Sequence, residues 1–286
     1  MYIREYVVEH ARLMTQKGNE AREAELEKQP PRIPVSQVGH CPRQAIFEAF
    51  RYHPEHPLHV EPTHPFDDHV TELLQCGYVW EHETTRALAL ALGDKVHWAK
   101  DDPALRVGDD VWSGHIDYLI DPCEDYPTGV IIEHKATNPV NFVRKNRLPY
   151  PFHCLQVLAY ERLYRKQHGL SEPVPTWLYY RSWNHWAELE VWDDDRYIVW
   201  EGDKNGHLFS GELELEYSLP ELMDMLAGAY LAEEIPPKYD TPFTESFTCA
   251  WRSKKKGVAR PNCRYFGVCW PTLPQEREPT SLEFWT

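Results

Sequence analysis

Gly114-His115-Ile116-Asp117-Tyr118-Leu119-Ile120-Asp121, a turn-rich insert from Pro122 to Gly129, and then Val130-Ile131-Ile132-Glu133-His134-Lys135 form the stretch that decides the fold. Two runs rich in β-branched and aromatic residues, separated by Pro, Asp and Gly, predict a strand, a turn and a second strand. Side chains alternate faces along a strand, so Glu133 and Lys135 share one face while Ile132 and His134 share the other. Asp117 lies among apolar neighbours in the middle of the first run. Pairing of the two strands gathers two carboxylates and one ammonium on an otherwise apolar patch of sheet.

That grouping suits a hard cation. Mg²⁺ or Mn²⁺ takes one or two carboxylate oxygens together with waters and substrate phosphate, which Asp117 and Glu133 can supply. A neighbouring Lys can position a nucleophile or stabilise the charge that develops on a phosphoryl group. The three residues taken alone also fit a surface salt bridge between Glu133 and Lys135, with Asp117 closing a strand.

Working outward, Asn138 to Arg147 is a basic, loop-like segment in which Arg144, Lys145 and Arg147 can line a phosphate backbone. A helix over 153–168 places Gln156 and Tyr160 four residues apart on one face. Pro175 to Trp183 and Ala187 to Trp192 read as a hairpin turning through Asn184-His185. Leu219 to Ala232 carries a helical period, and Pro236-Pro237 marks a boundary. On the upstream side, His69 to Leu92 is a long helix. Residues 52–66, rich in His and Pro, read as a surface loop. Ser36 is the expected N-cap of a helix through Phe50, with Cys41 and Arg43 in its first turns. Residues 1–29 suit either an amphipathic peripheral helix or a solvated arm, which Pro30-Pro31 ends.

Gly114-x-x-Asp117, Glu133-x-Lys135 and Gln156-x-x-x-Tyr160 follow one another in the order of the signatures of the PD-(D/E)xK nuclease superfamily. The Gln-x-x-x-Tyr element resembles its RecB-type branch, and the likeness runs from about position 34 onward. The resemblance implies a restriction-endonuclease-like α/β core, a mixed sheet flanked by helices. It implies metal-dependent cleavage of single-stranded DNA or DNA ends, with Asp117, Glu133, Lys135, Gln156 and Tyr160 catalytic. Asp117, Glu133 and the backbone carbonyl of His134 would bind Mg²⁺ or Mn²⁺. Gly77-Tyr78-Val79-Trp80-Glu81 resembles the family's Gly-x-x-x-His segment, with Glu81 where the family has its metal-binding His, and the adjacent His82 stays open as the ligand.

The cysteines extend the resemblance. Cys249, Cys263 and Cys269 lie in a short basic stretch that can build little core, so ligation explains their density. Four thiolates suit an iron–sulfur cluster or structural zinc, and close CxxC pairs typical of zinc are absent. The iron–sulfur members of the RecB-type branch, such as CRISPR adaptation nucleases, place one cysteine before the nuclease motifs and three after them. The resemblance therefore implies a 4Fe–4S cluster on Cys41, Cys249, Cys263 and Cys269, and makes Arg43 a phosphate contact. The implied division is an N-terminal arm at 1–34, a nuclease core at 35–248, and a cysteine segment at 249–286 completed by Cys41. An iron–sulfur subdomain would then join the N- and C-terminal parts. A structure-specific endonuclease, or a DNA-binding or assembly subunit that does not cut, are the alternatives.

The bulk numbers bound these readings. At 286 residues the chain can bury a sizeable core. A formal charge of −15 argues against a surface coated in non-specific nucleic-acid contacts and confines any basic path to a groove. No apolar run reaches membrane-spanning length and the start lacks a signal-peptide core, so a cytoplasmic location and no membrane partner are expected. Cysteines in that compartment bind metal or stay as thiols. A Walker-type loop is missing from the sequence, so any unwinding would come from a helicase partner, and an integrase-type partner is the other expectation.

Overall fold

The computed structural model describes residues 23–63, 68–98, 102–124, 126–137, 140–143, 148–182, 184–238, 250–252, 259–261 and 263–271, with backbone alone at 68–76, 140, 143, 250–252, 259–261, 266 and 267. In chain order the elements are β1 (Ile33–Pro34), α1 (Pro42–Ala49), α2 (Asp68–Leu92), β2 (Val96–His97), β3 (Arg106–Gly108), β4 (Trp112–His115), β5 (Tyr118–Ile120) and β6 (Val130–Ala136). They continue as α3 (Val140–Val143), α4 (Pro151–His168), β7 (Thr176–Arg181), β8 (Trp186–Asp194), β9 (Tyr197–Lys204), β10 (His207–Glu214), α5 (Leu219–Leu231), β11 (Ala250–Arg252), β12 (Ala259–Pro261) and α6 (Phe266–Cys269). The chain divides into two compact units, one comprising 32–39 and 76–228, the other drawing on 40–75 and the chain from 229 onward.

The larger unit is built on a seven-stranded mixed sheet in the order β10-β9-β8-β7-β6-β5-β2. Its pairings are antiparallel except β6 with β7, which run parallel with α4 as the crossover between them. A parallel pair needs such a crossover, and an 18-residue helix opened by Pro151 and closed by Gly169 in the left-handed region supplies it. Helix α4 covers the face carrying Ile131, Leu178, Tyr180 and Leu189, all fully buried, and presents Val157 and Ala159, also fully buried. Burying each large apolar side chain stabilises by roughly 1.5–3 kcal/mol. Residues 77–85 of α2 meet the opposite face, where the Tyr118 hydroxyl donates to the Glu81 carbonyl at 2.9 Å and Gly77 lies against Ala136.

Three expectations change. The run from Gly114 to Asp121 is divided between two strands rather than forming one: β4 joins a separate three-stranded sheet with β1 and β3, and the chain leaves extended pairing at Ile116-Asp117 before β5. The break has a local cause, because the Ile116 amide donates to the Leu105 carbonyl instead of to β6. Helix α1 starts at Pro42 with Cys41 as its N-cap, not at Ser36, which lies in a single 3₁₀ turn. Proline at the first helical position has no N–H to leave unsatisfied, which fixes the start there. The third change is an addition, since β9 and β10 extend the sheet by two strands over a region the sequence reading passes by. Their link is Asn205-Gly206, both at positive φ (53° and 84°), the two-residue turn whose twist matches a hairpin.

The hairpin from β7 to β8 forms as expected, closed by the Ser182 amide donating to the His185 carbonyl. In the smaller unit, residues 40–63 and the chain beyond 229 pack together. Phe47 sits 5.0 Å from the Tyr265 ring, the Arg264 carbonyl accepts from the Thr63 amide, and Arg264 pairs with Glu48 at 3.4 Å. The N-terminal helix expected over 1–29 falls largely outside the described residues, as do Arg144, Lys145, Arg147 and Cys249. Among the described residues no helix is long and apolar enough to cross a membrane.

Candidate active site

The break at Asp117 makes the site. Pairing of β5 with β6 ends at Tyr118 opposite Ile132, so the His134 amide has no strand partner at that edge. The Asp117 carboxylate takes that place, its Oδ2 accepting from the His134 amide at 2.9 Å. A residue that reads as mid-strand is therefore a side-chain substitute for the ladder, with its carboxylate held beside Glu133.

Glu133 is 2 % exposed. Its Oε1 accepts from Lys135 Nζ at 2.5 Å and from Gln156 Nε2 at 2.8 Å, and Gln156 also donates to the Tyr160 hydroxyl at 3.0 Å. All five residues expected to be catalytic thus fall in one connected group. Its Oε2 is buried with no hydrogen-bond partner among the described residues. Leaving a buried carboxylate oxygen unpaired is costly. The Glu133 and Asp117 carboxyl groups lie within hydrogen-bonding reach of each other, a contact that two carboxylates can use only by sharing a proton or a cation.

The electrostatics follow from burial. Desolvation raises the pKa of both carboxyls, and the Asp117 charge adds to the rise at Glu133, to about 8. Burial disfavours the Lys135 ammonium, yet the Glu133 and Asp117 charges outweigh it and hold the group above its ordinary value. Burial likewise pushes the Tyr160 phenol well up, so it is a neutral hydrogen-bonding group.

Glu81 and His82 separate clearly. Glu81 reaches Lys135 through its charge and helps hold that ammonium protonated, while the His82 side chain is 79 % exposed and points to Glu83. The position of Glu81 is braced from the sheet, because Tyr118 and Thr85 hydroxyls both donate to its carbonyl, at 2.9 and 2.8 Å. Sequence reasoning missed that brace. The His134 imidazole lies on the far side of β6, packed between Tyr118 and Tyr179, and burial lowers its pKa to about 4. Only its backbone can contribute to the site.

Gly114 explains itself by space. A Cβ there would meet Tyr160 Cε1 at 2.6 Å and Val35 Cγ2 at 3.0 Å, so the glycine admits the ring that supports Gln156. Among the aromatic residues of the hairpin, Tyr180 is fully buried and accepts from the Tyr150 amide.

In the smaller unit Cys41, Cys263 and Cys269 form no disulfide, and Cys41 lies close enough to both Cys263 and Cys269 to raise their thiols. Burial raises Cys263 to about 12, with Cys41 and Cys269 adding to the rise, and its thiol donates to Gln44 Oε1 at 3.2 Å. Arg43, half-buried, donates to the Pro236 carbonyl at 3.2 Å, lies over the Phe47 ring and lowers Cys269 against the rise that burial imposes. Among the described residues no three His, Cys, Asp or Glu side chains are gathered as a ready-made metal cage. No family model, no curated protein and no solved structure matches the chain.

Proposed function

We propose that the chain is a Mg²⁺- or Mn²⁺-dependent deoxyribonuclease with a restriction-endonuclease-like core that hydrolyses phosphodiester bonds as an exonuclease on single-stranded DNA or DNA ends. One observation carries the reading. The buried Glu133 Oε2 has no donor, and it belongs to a carboxyl set against the Asp117 carboxyl, which is a fitting place for a hard cation. Asp117, Glu133, the His134 carbonyl and Glu81 are the residues that would hold it. Such an ion, when bound, supplies Lewis acidity and a lowered pKa for its water.

The remaining roles belong to the chain's own groups. Lys135, kept charged by three acidic neighbours, orients the attacking water and faces the developing phosphoryl charge. Gln156, tied to both Glu133 and Tyr160, holds the Glu133 carboxylate in one rotamer. Arg144, Lys145 and Arg147 are assigned to the DNA backbone. Cys41, Cys263 and Cys269, with Cys249 as the fourth ligand, are assigned to a 4Fe–4S cluster that staples the ends of the smaller unit. A helicase or integrase-type protein is the expected partner.

The test is degradation of end-labelled single- and double-stranded DNA with Mg²⁺ or Mn²⁺ by anaerobically purified protein, beside Asp117→Ala. Cutting that disappears in the variant supports the reading and shows polarity. Intact substrates in both reactions overturn it.

A further inference from the structure

The sheet face opposite α4, across β8, β9 and β10, carries Glu188, Glu190, Asp194, Glu201, Asp203, Glu212 and Glu214. Register sets two pairs of like charges directly opposite each other, Glu188 with Asp203 and Glu190 with Glu201. Such pairs destabilise a sheet. Among the described residues of these three strands no Lys or Arg shares that face, since Lys204 pairs with Ala187 and His207 and lies on the other side. Between the acids stand large apolar groups, Trp186 and Trp192 about two-fifths exposed and Leu208 88 % exposed. A depression of 420 Å³ is lined by Trp177, Glu190, Glu201, Leu208, Phe209 and Ser210.

We infer that this face docks a basic segment of a partner protein, one in which Lys or Arg side chains alternate with apolar or aromatic residues. Charge complementarity selects the occupant: cations relieve the opposed Glu190–Glu201 and Glu188–Asp203 pairs, and the exposed indoles offer cation–π and apolar contact. DNA is opposed at this face by its seven carboxylates, which among the described residues have no Lys or Arg beside them on β8, β9 or β10, while Arg181 of β7, opposite Trp186, lies over the Trp80 ring. Burial already raises Glu188 and Glu190, and each is raised further by the acid across from it, so the face gains from a neighbouring positive charge. The inference stands whether or not the chain cuts DNA.

The experiment titrates the full chain with a fluorescein-labelled peptide of alternating Lys and Trp, read by anisotropy at 50 and 300 mM NaCl. Wild type is compared with Glu190→Gln/Glu201→Gln and with the charge-matched control Glu172→Gln/Asp224→Asn, which changes exposed acids outside β8, β9 and β10. Binding about tenfold weaker in the first double variant, unchanged in the control and weakened by salt, supports the site. Equal binding by all three proteins overturns it. Salt-sensitive self-association of the wild type, abolished in the first variant while the peptide does not bind, overturns it in favour of a second copy as the occupant. Both pairs of replacements keep side-chain shape, and a melting temperature no lower than wild type shows that the fold is retained.

Discussion

Replacing Gly114 with Ala tests whether the site is held by close packing rather than by its hydrogen bonds alone. Gly114 does not adopt a positive φ, so an Ala there meets no backbone strain; the conflict is the contact at 2.6 Å with Tyr160 Cε1 and at 3.0 Å with Val35 Cγ2. Tyr160 is 5 % exposed and its hydroxyl accepts from Gln156, so the ring cannot swing aside without breaking the link to Glu133. Overpacking of this kind costs about 1–3 kcal/mol. Tyr160→Leu removes the opposing atoms and itself costs about 2–4 kcal/mol through a cavity and a lost hydrogen bond. The two changes should compensate, giving a coupling energy of about 1 kcal/mol or more where independent sites add to within about 0.5 kcal/mol. Urea unfolding of the wild type, both single variants and the double variant, followed by tryptophan fluorescence, measures each corner of the cycle. Additive costs, or a Gly114→Ala cost under about 0.5 kcal/mol, would refute the packing argument.

Glu133→Gln should change the pH dependence of stability. The folded-state pKa of Glu133 is raised from 4.5 to about 8, so between those values the folded protein holds a proton that the unfolded chain has released. Stability from this group is therefore lost as pH rises through that window, and the Gln variant should gain on wild type from pH 5 to pH 8.5 in thermal melts. A gain in the opposite direction sinks the assignment. His97 is clasped between Asp102, at 2.8 Å, and Asp121, at 3.0 Å, and the Asp102 hydrogen bond leads the rise in its pKa above 6.5. Its contribution is complete below pH 6.5 and falls away as pH climbs through the folded value, so His97→Gln should cost more at pH 5.5 than at pH 9, by less than about 1 kcal/mol at this partly exposed site. Equal costs at the two pH values would remove the clasp. Anaerobically purified protein should contain iron and acid-labile sulfide, both lost in Cys41→Ser and in Cys263→Ser; stoichiometric zinc in place of iron would replace the cluster assignment.

The strand, turn and strand about Glu133, the long helix ending at Leu92 and the helix bearing Gln156 and Tyr160 were legible because hydrophobic periodicity is local and these segments are long. Turn chemistry at Asn205-Gly206 was equally present in the sequence; β9 and β10 alternate polar and apolar residues only weakly, because Tyr197, Val199 and Leu208 share the acidic face while Gly202, Lys204, His207 and Gly211 share the other. Residue types named the members of the site in advance. Their roles were set by the fold: Asp117 caps the end of a ladder that breaks for a reason supplied by Leu105, and Glu81 rather than His82 faces inward because Tyr118 holds its turn of helix. Arg43 shows the same division, a cation named by the sequence that the fold sets beside the Pro236 carbonyl and the Phe47 ring. By itself the sequence determined which chemical groups exist and which segments repeat with a strand or helix period, since both depend on near neighbours. The tertiary structure alone decided which carboxylates oppose one another and which backbone groups need a side-chain partner, because burial and strand register depend on residues far apart in the chain.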